Sequence, residues 1–285
     1  MFVLAGAVMI SFSSVFVELA NVGPTVSAFY RMFFGGAILL GIALFKNQSL
    51  CKSNKTFWFA ASCGLLFAVD LIFWHRSILF IGPGLATLMG NFQVFFLTLA
   101  GVLFMKEHFG WRLMVAIPLA IVGLYLIVGI NWAQAGPDFK VGVWLGLATA
   151  VCYASYLLVL QRSQRLTDKL GLIPNMAVIS LVAALILGLS VLVIGGESFA
   201  IPDAQSWFSL VGLGIMGQVL GWVLISKGLP DLNASVVGLV LLVQPSLAFV
   251  WDILFFGRPT TSIEIVGALI ALGAIYLGSV SGKKG

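Results

Sequence analysis

Charge is what this sequence has least of. Only 9% of its 285 residues are Asp, Glu, Lys or Arg, against about 25% in an ordinary soluble domain. Hydrophobic residues make up 61%, and the mean hydropathy is +1.12. Such a balance leaves little room for a soluble body and points to an all-α polytopic membrane protein. A transmembrane β-barrel would show short alternating segments rather than continuous apolar runs of about 20 residues. Catalytic signatures are also missing. There are two histidines, His75 and His108, no HExxH, no GxSxG and no glycine-rich loop ending in Gly-Lys-Ser/Thr. An intramembrane enzyme would therefore lack its cluster of reactive groups, and ATP hydrolysis its phosphate cradle. The three cysteines, Cys51, Cys63 and Cys152, have neither metal-ligand spacing nor an obvious pairing and read as small apolar filler. No cofactor, no metal and no catalytic residue is expected. The net charge of +5 comes from basic residues scattered through short connections, which form no stripe and give no footprint for nucleic acid. The N-terminus lacks the basic region of a cleaved signal peptide and reads as the first span.

What the sequence does have is apolar runs cut by turn residues. Ten spans are expected near 2–20, 24–45, 57–79, 84–105, 112–130, 141–161, 171–194, 206–226, 232–256 and 263–280. Each is long enough to cross a hydrocarbon core of about 30 Å. Gly23-Pro24, Gly82-Pro83, Gly136-Pro137, Ile201-Pro202 and Leu229-Pro230 punctuate the connections, where proline cannot extend the preceding helix but suits the first turn of the next. With both termini cytoplasmic, eleven of the fifteen Lys and Arg fall on inner ends and loops: Lys46, Lys52, Lys55, Lys106, Arg112, Arg162, Arg165, Lys169, Lys227, Lys283 and Lys284. That bias sets the orientation. Trp58, Trp111, Trp132, Trp144, Trp207 and Trp251 fall near span ends and read as an interfacial belt.

The two halves look alike. An offset of 148 pairs Gly64 with Gly212, Asp70 with Gln218 and Trp74 with Trp222. An offset of 151 pairs Gln93 with Gln244, Ala120 with Ala271 and Tyr125 with Tyr276. Five spans is an odd number, so the second half enters the membrane from the opposite side. The expected fold is ten transmembrane helices as two inverted five-helix repeats, 1–135 and 136–285, a plan that places a solute site between the halves near the midplane.

Ala86-Thr87-Leu88-Met89, running through Leu103-Phe104-Met105-Lys106-Glu107 to Ile121-Val122-Gly123-Leu124-Tyr125, and Ala234-Ser235 through Gln244-Pro245 to Gly267-Ala268 and Gly273, resemble the two halves of the EamA-type ten-helix carriers of the drug/metabolite transporter superfamily. Phe29-Tyr30-Arg31-Met32 is similar to the aromatic-Arg step of their second helix. The resemblance covers nearly the whole chain and implies a cavity formed by spans 1–4 and 6–9, with 5 and 10 packed outside. Aromatic amino acid exporters of the YddG type share this plan. Two departures stand out. Val94 occupies the place of Pro245, so only the ninth span should kink, and Gly257-Arg258 stands where the first half has Lys106-Glu107.

The stretch from Gly64 to Glu107 carries most of the candidate residues. Polar groups at membrane depth are costly and mark solute paths or bundle interiors. Asp70, Trp74 and Ser77 are spaced i, i+4, i+7 and share a helix face. Asp70 is either a proton- or cation-responsive group or a fixed partner for Arg31 or Arg76. His75 is either hydrogen-bonded structure or a pH-sensitive border of the cavity. Arg31 either pairs with Glu18 or captures a solute carboxylate. Asn91, Gln93, Gln218 and Gln244 offer donors and acceptors to a zwitterion or bridge helices. Trp222 is a second aromatic wall or plain packing. Gly142/Gly146 and Gly217/Gly221 have the spacing of close helix contacts, and Pro245 is a candidate hinge.

The expected function is a secondary transporter moving a small organic metabolite, an amino acid or related amphipathic solute, across the inner membrane by alternating access, with export ahead of import. A carrier of organic cations, drugs or nucleotide-derived cofactors with the same fold is the alternative. A non-transporting receptor or an intramembrane enzyme fits less well. Partners are the solute, the lipid bilayer and protons as a candidate coupling ion, with the chain as monomer or homodimer.

Overall fold

The computed structural model describes residues 2–96, 99, 111–129, 132–133, 135–164, 169–228, 241 and 243–279. All regular elements among them are helical. In order they are α1 (Phe2–Ser11), α2 (Ser13–Leu19), α3 (Pro24–Phe45), α4 (Asn54–Ile81), α5 (Pro83–Gly90), α6 (Trp111–Leu124), α7 (Pro137–Gln164), α8 (Leu172–Ile194), α9 (Ala204–Gly212), α10 (Trp222–Gly228), α11 (Val243–Phe256) and α12 (Ser262–Ser279). A wide-turn π stretch, Tyr125–Gly129, prolongs α6, and another, Leu213–Gly221, joins α9 to α10.

Six stretches among the described residues are long and apolar enough to cross a membrane: Phe2–Leu19, Pro24–Phe45, Asn54–Ile81, Pro137–Leu160, Leu172–Ile194 and Ala204–Lys227. Met114–Ile127, Val243–Phe256 and Ser262–Leu277 are shorter apolar helices. The protein is thus a multi-pass membrane protein. Parts of the fourth and ninth expected spans, with Lys106-Glu107-His108, Arg165, Ala234-Ser235, Lys283 and Lys284, lie outside the described residues.

Local chemistry sets the helix ends. Pro24, Pro83 and Pro137 open α3, α5 and α7. Ser53 and Thr56 form a reciprocal capping box at the start of α4, as Thr261 and Glu264 do at α12, each satisfying backbone donors that have no partner within the helix. Asp203 accepts the Ser206 N–H at 2.7 Å and caps α9. Gly82 and Gly195 end α4 and α8 at φ values of 79° and 71°, a region that favours glycine.

Two breaks are unexpected. The first span is interrupted at Phe12, between α1 and α2. The fourth span turns at Asn91-Phe92, directly after Gly90 and without proline. The Asn91 side chain donates to the Thr87 carbonyl at 2.8 Å, the local competition by which asparagine leaves a regular helix. Only the ninth span was expected to kink, yet the regular helix of the fourth is interrupted here as well. Pro245 lies within α11.

Most contacts join residues before the 131–140 connection to residues after it. α4 lies along α7 and α8, α3 along α8 and the Leu213–Gly221 stretch, α5 along α11, and α1 along α10. α6 and α12 lie mainly against one another. There Gly123 and Gly267 bring the backbones together, since a Cβ on Gly123 would sit 2.7 Å from Ala271 N. Two apolar cores result. One is built round Phe67, Tyr156, Met176 and Ile179, the other round Leu85, Met89, Leu213 and Ala271.

Candidate functional site

Between these elements lies a cavity of about 70 Å³. It is lined by Ile10 of α1, Arg31 of α3, Phe67, Asp70, Leu71 and Trp74 of α4, Thr87 and Gly90 of α5, Asn91, Thr149 and Tyr153 of α7, Trp222 of α10 and Gln244 of α11. Of the residues expected there, Arg31, Asp70, Trp74, Asn91, Trp222 and Gln244 meet at it. The space holds a few waters or a compact head group and falls well short of the roughly 300 Å³ of a drug-sized pocket.

Arg31 is buried, with its guanidinium 5.7 Å from the centre of the Phe67 ring and 5.6 Å from that of Trp74. Its Nε has no hydrogen-bond partner. Glu18, by contrast, is exposed, and the guanidinium–carboxylate pairs within 4.0 Å among the described residues are Arg76–Glu197 and Arg258–Asp252. The expected Arg31–Glu18 pair does not form, because Arg31 turns inward onto the aromatic face of α4. Asp70 is buried and its Oδ1 has no partner. Arg31 and Asp70 are within electrostatic reach of one another but not at ion-pair distance. Arg76, the other cation considered for Asp70, bonds instead with Thr25 and Glu197 at the Pro24 end of the bundle.

The aromatic wall is continuous. Trp222 meets Phe67, Tyr153 and Tyr156 edge-on at 5.7, 6.1 and 5.5 Å, and Tyr156 stacks on Phe67 at 4.7 Å. Trp222 Nε1 and Gln244 Nε2 are buried without partners. Buried donors in an otherwise apolar wall are costly unless something accepts from them.

Four expected site residues do not line the cavity. His75 is fully buried, edge-on to Trp74 at 5.2 Å, with neither ring nitrogen bonded. One residue beyond Trp74 is about 100° further round the helix, so it faces packing. Ser77 continues the Asp70–Trp74 face, but two turns along that face α7 closes over it. Gly142 and Gly146 admit that approach, and Ser77 donates to the Gly142 carbonyl at 2.8 Å. Gln93 bonds with the Tyr153 side chain and so acts on the cavity at one remove. Gln218 donates to Ser180 Oγ at 2.9 Å and bridges to α8. Trp251 leaves the expected belt, stacking on Phe12 at 4.8 Å and donating to Ser11 Oγ at 3.1 Å.

Ile10, Phe67, Thr87, Thr149 and Tyr153 are cavity residues that the sequence reading passed over. Two had a signal. Phe67 lies at i−3 from Asp70 and i−7 from Trp74. Gly142, Gly146, Thr149 and Tyr153 step by four, three and four along one face of α7, which joins a close helix contact to two polar positions.

At the Pro24 end two carboxylates cap helices across the bundle. Glu197 accepts from Thr25 Oγ1 at 2.7 Å and from the Val26 N–H at 2.9 Å. Asp252 accepts from the Gly84 N–H at 3.0 Å and meets Arg258 at 3.3 Å. Tyr30 donates to the Phe199 carbonyl at 2.7 Å, and Asn21 to Asp203 at 2.9 Å.

A model of the EamA-like transporter family matches residues 1–129 and 140–280. An uncharacterized transporter of Synechocystis sp. is 28% identical over 236 residues, covering 81% of this chain and 69% of its own. An uncharacterized transporter of Archaeoglobus fulgidus is 22% identical over 276 residues, covering 96% and 94%. A solved structure superimposes with a TM-score of 0.70 at 17% identity, over 97% of this chain and 94% of that one. That likeness speaks to the fold alone.

Proposed function

The chain belongs to the EamA-like transporter family, and on that footing we propose that it is a secondary transporter of a small amphipathic organic solute, with amino acids first among the candidates. The observation that carries this reading is the cavity itself. Residues from seven helices and the Asn91 turn converge on one half-open space that combines a guanidinium, a carboxylate and an aromatic wall. Polar groups at that depth mark a solute path.

Alternating access fits the way the helices pair. Number the spans by expected order, from 1 to 10. Span 3 lies on span 6 and span 8 on span 1; span 3 lies on span 7 and span 8 on span 2; spans 2 and 7, 4 and 9, and 5 and 10 lie on each other. Exchanging each span with the one five places on maps this set onto itself. That pattern supports two inverted repeats, 1–135 and 136–285, whose halves exchange roles as the solute crosses. The basic residues put both termini in the cytoplasm of a bacterial-type inner membrane. The Arg76–Glu197 and Arg258–Asp252 ends then face outward.

The test is flux into and out of proteoliposomes holding the full-length protein, with labelled amino acids and with and without a proton gradient. Counterflow of at least one amino acid is expected, and Asp70→Asn should abolish or uncouple it while leaving folded protein. Absence of flux for every solute under any gradient would overturn transport. Wild-type, fully pH-dependent flux in Asp70→Asn would remove Asp70 from the path.

A further inference from the structure

The cavity's unpartnered groups say more about its solute than its volume does. Three N–H donors belong to residues that line it from three different helices: Arg31 Nε of α3, Trp222 Nε1 of α10 and Gln244 Nε2 of α11, all buried and all without partners. One acceptor, Asp70 Oδ1 of α4, is in the same state. Hydrogen bonds within the protein satisfy most of the neighbouring polar side chains. Asn91 bonds to Thr87, Thr87 to Pro83 and Tyr153 to Gln93. The exceptions are these four and the Thr149 hydroxyl of α7, which can donate or accept and favours neither charge.

Resting on the transporter reading above, we propose that this is a two-point site for a zwitterion: Arg31, Trp222 and Gln244 take a carboxylate, and Asp70 takes an ammonium. A carboxylate presents two oxygens with about four acceptor positions and is acceptor-only when ionised. It can therefore accept all three donors, the guanidinium bond being charge-assisted. Asp70 supplies the complementary acceptor for an N⁺–H. The charge balance decides against other solutes. The site holds one fixed cation and one carboxylate, so a zwitterion leaves no charge unmatched in a low-dielectric space. An organic cation would lie beside Arg31 with nothing for the guanidinium, and an organic anion would leave Asp70 facing a like charge. The apolar body of the solute meets Phe67 and Trp74, whose faces already hold the guanidinium in place. Fixing Arg31 in this way removes rotamer freedom before the solute arrives, and that preorganisation favours binding.

Three probes that share one ring separate the charges: phenylalanine, 3-phenylpropionate without the amine, and 2-phenylethylamine without the acid. Their affinities are measured by calorimetry on the full-length detergent-purified protein. Phenylalanine should bind about tenfold or more tighter than either single-charge probe, the size expected when one charged contact is lost. Asp70→Asn should abolish the preference over phenylpropionate, and Arg31→Gln the preference over phenylethylamine. Trp222→Phe keeps an aromatic group, though a smaller one, and removes the N–H. It should weaken phenylalanine and phenylpropionate several-fold and leave phenylethylamine unchanged, which a merely structural role would not do. Phenylethylamine binding wild type as tightly as phenylalanine overturns the assignment. So do unchanged ratios in folded Asp70→Asn and Trp222→Phe, or no binding of phenylalanine, leucine or methionine at millimolar concentration. Selective binding without flux would refute transport and leave the site standing. Flux without this selectivity would do the reverse.

Discussion

The Glu197 carboxylate, on the connection after α8, accepts the backbone N–H of Val26 at the start of α3 from 2.9 Å. A helix start carries unsatisfied donors and the positive end of the peptide dipoles, so a carboxylate there is a cap as well as a charge. Arg76 approaches the same carboxylate at 3.9 Å but is about a third exposed (35%), where ion pairs contribute little.

The cap should therefore outweigh the pair. Glu197→Ala is expected to cost about 1–2 kcal/mol. Arg76→Ala should cost about 0–1 kcal/mol, in keeping with a screened pair. Thermal unfolding in detergent measures both, and an equal or larger loss for Arg76→Ala would reverse the ranking.

Asp203 gives a pH dependence with a defined sign. The hydrogen bond from Asn21, with that from the Ser206 backbone, holds its carboxyl below the ordinary carboxylate value of 3.8. A depressed folded value contributes stability above the unfolded value and loses it as pH falls through the folded one. Wild type should thus exceed Asp203→Asn in melting temperature at neutral pH, and the gap should close on acidification below about pH 4. A gap that widened toward low pH would contradict this bond pattern.

Gly123 and Gly273 look equivalent in sequence, each in the middle of a peripheral helix. They differ in space. A Cβ on Gly123 would lie 2.7 Å from Ala271 N and 2.9 Å from the Gly267 carbonyl, whereas Gly273 has nothing within 4 Å. Gly123→Ala should destabilise by about 1–3 kcal/mol, because backbone rather than a flexible side chain must move. Gly273→Ala should be neutral or stabilising by up to about 1 kcal/mol through helix propensity. Chemical denaturation of the two variants side by side gives the comparison.

Ser77 was expected in the site and belongs to the α4–α7 seam. Ser77→Ala should lower stability by about 1 kcal/mol, the net worth of one buried hydrogen bond, with solute KM unchanged. Thermal shift and flux on the same preparation report both quantities, and a raised KM would return Ser77 to the cavity.

These contrasts show which parts of the molecule were readable beforehand. Apolar run length gave the bounds of α3 and α8 almost to the residue, because lipid imposes length, and Pro24 gave the start of α3. Helical periodicity placed Asp70 and Trp74 together. It failed at Ser77, because periodicity describes a face and not how far along that face a neighbour closes. Arg31 was legible as a buried cation, but its partner was not. Choosing between Glu18 and the rings of Phe67 and Trp74 depends on which way α3 is turned against α4. The Glu197 cap joins residues 172 apart in the chain, and nothing local to either announces it. Tyr153 was missed because an aromatic in an apolar run reads as core.

The wide turns between Leu213 and Gly221 carry one consequence for the two like halves. A π turn closes its bonds five residues on instead of four, so the step from Gln218 to Trp222 does not retrace the step from Asp70 to Trp74. Letters that match across the chain then point in different directions. One copy plants an acid in the hollow, and the other tucks an amide into a seam and gives the hollow only its indole. A wider turn in one coil, with no residue inserted between the matched letters, thereby gives them unlike surroundings. Likeness of letters between two segments therefore does not carry over to the chemistry each one presents.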